Sequence, residues 1–204
     1  MFEVLTGTGL AASAGLNAYI PLLTMGLLAR FTTAIDLPAG WAWLSNGWTL
    51  TILAILLAIE VVADKVPVVD HFNDVVQTFV RPTAGGLAFG AGSTSETVTV
   101  ADPGSFFSSH QWVPIVAGAV IALGVHGVKA ASRPVVNATT AGVGAPVAST
   151  AEDVSSVVMS ILAIVLPILV LIGLAVMLCA GFWVFRRRRQ RRRTAGVDTR
   201  RLSV

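Results

Sequence analysis

The chain has 204 residues, of which 54% are hydrophobic and only 12% charged, against about 45–50% and about 25% in soluble domains. One domain of this length could not bury so much apolar surface in water, so part of its solvent must be lipid. The formal charge of +3 is uneven: nine of the 14 basic residues lie from Arg186 onward, leaving five against ten of the 11 acids in the body. A basic block after an apolar run marks the cytoplasmic end of a membrane span rather than a nucleic-acid surface. The single Cys179 excludes an intramolecular disulfide and any CxxC motif. No positive region precedes the first apolar segment, so no cleaved signal peptide is expected.

In chain order, Val4 to Leu28 is long enough to cross a bilayer, but Gly7, Gly9, Ser13, Gly15, Asn17 and Pro21 interrupt it. Small residues let helix backbones approach, and Asn and Pro are tolerated where neighbours satisfy the polar groups, so a packed helix broken near Pro21 is expected. Trp41, Trp43 and Trp48 follow as an interfacial belt. A second span runs from Trp48 to about Val69, with Glu60 roughly 18 Å below Trp48 in a layer about 30 Å thick. Asp70 to Arg81 has helical amphipathicity: Phe72, Val75, Val76, Phe79 and Val80 form one face, and Asp70, Asp74, Gln77 and Arg81 the other. That pattern predicts a short helix on the membrane surface, with His71 on its polar side. Pro82 to Ser95 is a small-residue run, and Glu96 to Gln111 a polar loop. Trp112 to Ala131 predicts a further span, with His126 and Lys129 at its interface. Val135 to Ala148 is a second small-residue run, and Val154 to Phe185 an uncharged last span kinked at Pro167.

The predicted fold class is therefore all-α: a polytopic transmembrane helical bundle over 1–185, followed by a basic, disordered cytoplasmic tail over 186–204. It has four full spans plus two short segments that either cross or re-enter. If all six cross, Lys65, Arg81, Lys129, Arg133 and the tail fall inside and only Arg30 outside, which favours six crossings with both termini in the cytoplasm. A pattern [Ser/Thr]-Ala-Gly-x-x-Ala recurs at Ser13, Thr83 and Thr140. Chance in an Ala/Gly-rich chain is the plainer account; three helical hairpins forming an internal repeat is the sharper one.

Glu60 and Asp64, four residues apart, share a helix face. A carboxylate at that depth costs about 2.5–3.5 kcal/mol on insertion scales, so both should face protein or water. They are candidates for a proton or cation path with Lys65 as counter-charge, and Asn17 and Asn137, near two copies of the small motif, could line it. A structural Asp–Lys pair is the competing account. Asp70, His71 and Asp74 could share a divalent ion with Asp64, but no recognised metal signature is present; Asp70 as a helix N-cap with the rest as a polar surface face is simpler, and no metal or other cofactor is expected. Ser149 and Glu152 fit a capping box at the start of the last helix. No Ser/His/Asp spacing, Walker loop or HExxH occurs, so no enzyme is expected.

Gly9 to Leu23, Glu60 with Ala63-Asp64-Lys65-Val66-Pro67, Asp70 and Asp74, and His126-Gly127-Val128-Lys129-Ala130-Ala131-Ser132-Arg133 together resemble the bacterial integral-membrane family termed domain of unknown function 4126. The likeness covers about Gly7 to Pro167 and leaves out the arginine tail. It implies a multi-spanning membrane protein of unassigned activity and carries over no catalytic residue. The leading expectation is a small transporter or channel-like permease in the inner membrane, multi-pass with a cytoplasmic C-terminus. The alternative is a non-transporting scaffold or lipid-interacting protein. The expected partners are the bilayer and, through the arginine tail, anionic lipids; a homo-oligomer is left open, and nucleic acid is not expected.

Overall fold

Long uncharged runs of alanine, leucine, valine and glycine have no water to hydrogen-bond their backbone, and the helix satisfies it internally. The computed structural model describes residues 2–65, 67–93, 110, 112–140 and 143–176, with 178, 179, 182 and 186; the side chains of 67–72, 74 and 137 lie outside that description. Among the described residues every regular element is helical. They are α1 (Phe2–Leu16), α2 (Tyr19–Phe31), a 3₁₀ segment (Ala39–Ser45), α3 (Gly47–Ala63), α4 (Pro67–Gly92), α5 (Trp112–Thr140) and α6 (Gly144–Val165). A 3₁₀ turn at Pro167–Leu169 then opens an apolar stretch, Pro167–Val176.

Helix α1 is the centre of the bundle, packed on α4, α5 and α6. Its small residues make that possible: Gly9 to Leu16 are all buried. Gly7 lies against Phe89, and Gly9 against Ala163 and Val170. The Ser13 hydroxyl meets the hydroxyls of Ser156 and Ser160 at 2.7 Å each. These contacts set α1 antiparallel to α4 and α6. The chain then turns at Asn17 and Ala18, and α2 runs back. Gly26 meets Leu44 and Leu50, Arg30 donates to the Ser45 carbonyl at 2.9 Å, and Trp41 covers Gly90. The start of α1, the end of α2, the start of α3 and the end of α4 thus share one end of the molecule. The Asn17 turn points to the other.

Polarity is inverted relative to a soluble fold. Ile52, Ile55 and Ile59 of α3, Val75 and Phe79 of α4, Val120 and Leu123 of α5, and Val154 and Ile161 of α6 are exposed, whereas Glu60, Asp64, Arg81, Lys129 and Arg133 are buried. Helices α5 and α6 are long and apolar enough to cross a membrane; the 3₁₀ segment and α3, which meet at 60°, make a third if taken as one bent span. Lipid is the solvent that such a surface suits.

Several expectations are corrected. The first segment breaks at Asn17, not Pro21, because Pro21 sits in the first turn of α2, where a missing N–H costs nothing. The second span stops at Ala63 instead of Val69. Asp70–Arg81 and the small-residue run are one 26-residue helix through Pro82, not a surface helix followed by a re-entrant piece. Val135–Ala148 is the tip of the α5–α6 hairpin rather than a segment of its own. Helix α6 begins at Gly144 with no side-chain cap, so Ser149 and Glu152 form no capping box. Trp41 is buried at 4% exposure, unlike Trp43 and Trp48. Of the three small-motif copies, two lie within the bundle against Ala122, while the third falls at the α5–α6 turn, where 141 and 142 lie outside the described residues. The break expected at Pro167 is present: α6 ends at Val165, and Gly173 returns to Met159.

Candidate functional site

Ending a helix inside a bundle strands its last carbonyls and the first N–H groups of the next helix. Asn17 resolves half of that problem. Its Oδ1 accepts from the Tyr19 and Ile20 backbones at 3.1 and 3.3 Å, capping α2, and its Nδ2 donates to Asp153 at 3.0 Å. Cations from two other helices resolve the rest. Arg81 of α4 donates to the Gly15 carbonyl at 3.0 Å, and Lys129 of α5 to that of Leu16 at 3.2 Å. Positive charge at the C-terminal end of α1 also suits its dipole.

Those cations are themselves paired. Arg81 Nη2 is 2.8 Å from Glu60 Oε1, and Lys129 Nζ is 2.8 Å from Asp64 Oδ2. Arg133 lies 3.5 Å from Asp64 and 2.9 Å from Glu152, and Lys129 is 3.1 Å from Glu152. Asp64 also accepts from Asn73 at 2.7 Å. Among the described residues, three acids and three cations from α3, the α3–α4 turn, α4, α5 and α6 therefore form a linked cluster of ion pairs, the ring, at the end of α1. All but Glu152 are buried to within a few per cent. His126 completes it. Its Nδ1 lies 3.3 Å from Arg81 Nη1 and its Nε2 3.2 Å from the Thr78 hydroxyl.

The structure brings three of the sequence candidates together, Glu60, Asp64 and Asn17, and separates Lys65 from them. Lys65, in the turn after α3, donates to the Val61 carbonyl at 3.1 Å instead of pairing with Glu60 or Asp64. The counter-charges are Arg81, Lys129 and Arg133. Asn137 lies on α5 and Asp70, His71 and Asp74 on α4, with their side chains outside the described residues. Arg81, Lys129, Arg133, His126, Glu152 and Asp153 were not singled out as partners from the sequence. The available signal was energetic: two carboxylates inside an apolar bundle require basic partners, and the body holds only five. Among the described residues, no group of three or more His, Cys, Asp and Glu could hold a metal ion.

A family model described as domain of unknown function (DUF4126) matches residues 4–187. The chain belongs to this family. The match takes in the whole ring and extends past Pro167 into the first arginines of the tail, further than the motifs alone reach. No curated protein and no solved structure gives a match.

Proposed function

We propose that this family member is a multi-pass membrane protein that moves a small solute or ion, and that the Asn17 turn with its ring of ion pairs is the element that opens. One observation carries the reading: a helix stops within the bundle, and its free carbonyls are held by paired charges from helices all round it. Discontinuous helices with charged or carbonyl groups at the break are how many transporters build sites away from water. Ion pairs that bridge separate helices can break and re-form as those helices move apart. A purely structural ring would be a costly choice, because apolar residues of similar volume often hold a core equally well.

The positive-inside rule orients the proposal. The arginine block, the α3–α4 turn carrying Lys65 and the α5–α6 end near Arg133 fall on the cytoplasmic side, and Arg30 on the opposite side. With α1 and α2 forming a hairpin that enters and leaves on Arg30's side, α3, α4, α5, α6 and the last apolar stretch each cross once.

Reconstitution in liposomes tests the reading, with proton and solute flux compared for the wild type, Glu60→Gln and Asp64→Asn. The expected result is flux by the wild type that either variant slows at least about tenfold, the equivalent of about 1.4 kcal/mol in a barrier. A folded wild type that passes nothing, or variants equal to it, would overturn it. A scaffold or lipid-interacting role would then be favoured, and deleting Arg186 to Arg193 should abolish membrane-partner capture in that case.

A further inference from the structure

Lys129 is one of only two lysines in the chain, the other being Lys65, and it is buried at 3% exposure. Three oxygens surround its Nζ: Asp64 Oδ2 at 2.8 Å, Glu152 Oε2 at 3.1 Å and the Leu16 carbonyl at 3.2 Å. They come from the α3–α4 turn, α6 and the end of α1, and the lysine itself from α5. Three acceptors match the three N–H donors of an ammonium. The neighbouring cations sit differently. Arg81 spreads its guanidinium over Glu60 and the Gly15 carbonyl, and Arg133 reaches Glu152 and Asp64 from one nitrogen. A guanidinium is a flat fork, whereas an ammonium is a compact point charge, which a small spherical cation can replace.

We propose that the seat filled by the Lys129 ammonium is a site for a monovalent alkali cation, with Lys129 as a tethered competitor that yields the seat when the ion enters. Three features select that chemistry. Carboxylate and carbonyl oxygens are the ligands that hard cations take, and a carbonyl at the end of a discontinuous helix is one that transporters offer to sodium. Without the lysine the cluster has three acids against two cations, Arg81 and Arg133, so one positive charge restores the count and two would overshoot it. Glu152 gives the way in: its side chain is 17% exposed, against 1% for those of Asp64 and Lys129, so an ion reaches the seat past α6. As a binding site the seat stands on this geometry; as the identity of what is moved, it rests on the transport reading.

The test uses the full-length wild type in detergent micelles and follows lysine acetylation by mass spectrometry, with the half-buried Lys65 as internal reference. Sodium, potassium and N-methylglucamine chlorides are compared at one ionic strength, so that screening is the same in all three. Sodium or potassium should raise the Lys129-to-Lys65 ratio, by about threefold when the ion is at twice its Kd for the opened seat, and N-methylglucamine should not. Lys129→Ala supplies a second measurement. Its thermal midpoint should rise with sodium or potassium over N-methylglucamine, by more than that of the wild type, whose seat is filled. Adding Asp64→Asn should remove the response. Acetylation of Lys129 that neither alkali ion raises above the N-methylglucamine level would overturn the proposal, even if Lys129→Ala fails to fold. So would a folded Lys129→Ala that responds equally to all three chlorides, or a larger response to magnesium at the same ionic strength. Ion-dependent acetylation in a wild type that carries no flux in liposomes would keep the seat and remove only the transport reading. Flux in a wild type whose Lys129 neither ion displaces would do the reverse.

Discussion

Asp64 is the residue on which the ring turns, since its carboxylate faces Lys129, Arg133 and Arg81 at 2.8, 3.5 and 3.8 Å. Removing one partner of a buried pair leaves the others charged in an apolar setting, at about 3–5 kcal/mol. Asp64→Asn should therefore lower stability in a detergent-micelle unfolding measurement by about that amount. Glu60→Gln should cost less, because Glu60 faces one cation, Arg81, whereas Asp64 faces three. A double-mutant cycle sharpens the distinction: Glu60→Gln combined with Arg81→Met should be less harmful than Arg81→Met alone, which leaves Glu60 unpaired. Additive losses across the cycle would mean that the two side chains are not coupled. Asn17 acts differently, through the backbone. Asn17→Ala removes the cap on Tyr19 and Ile20, worth about 0.5–2 kcal/mol, and also frees Asp153, so it should exceed an ordinary cap loss.

At the scale of elements, α4 shows what was legible in the sequence and what was not. The alternation of apolar and polar positions over Asp70–Arg81 predicts a helix, and the helix is there. The same pattern does not say which face meets protein. In water the valines would turn inward; here Val75, Val76 and Phe79 are exposed while Gln77 and Arg81 are buried, because the surroundings are apolar and the polar groups find partners only inside. Glu60, Asp64 and Asn17 were legible as intramembrane polar groups. Their partners were not, since Arg81, Lys129, Arg133 and Glu152 come from three later helices, α4, α5 and α6, and sequence spacing carries no such register. Gly85 and Gly118 lie against each other where α4 packs on α5: a Cβ on Gly118 would collide with the Gly85 carbonyl and with Phe89. Gly118→Val should part the two helices that carry Arg81 and Lys129. The expected result is loss of folded protein on size-exclusion chromatography, beyond the effect of Gly124→Val, where a Cβ meets nothing.

For the whole molecule, the deepest departure from the sequence reading is the direction of its first 31 residues. Six crossings with both termini inside require the chain to traverse the bilayer between Phe2 and Phe31. The contacts instead return it: Gly7 lies beside Phe89, Gly26 beside Leu44, and Trp41 beside Gly90, so Glu3 and Thr33 belong to one end and Val143 to the other. Small residues explain the choice. Gly7, Gly9, Ser13 and Gly15 let α1 sink among three helices as far as the ring, where cations from α4 and α5 can hold its end, and a helix held there has no reason to continue. Accessibility of single cysteines reads this directly. In a Cys179→Ser background, Glu3→Cys, Thr33→Cys and Val143→Cys are each exposed positions, to be treated in sealed vesicles with a membrane-impermeant maleimide. Glu3→Cys and Thr33→Cys should label from the same side, and Val143→Cys only from the other. Labelling of Glu3→Cys and Thr33→Cys from opposite sides would make α1 and α2 a true crossing. The ring would then lie midway along a span instead of at the tip of a hairpin, and the opening motion proposed for the Asn17 turn would lose its physical basis.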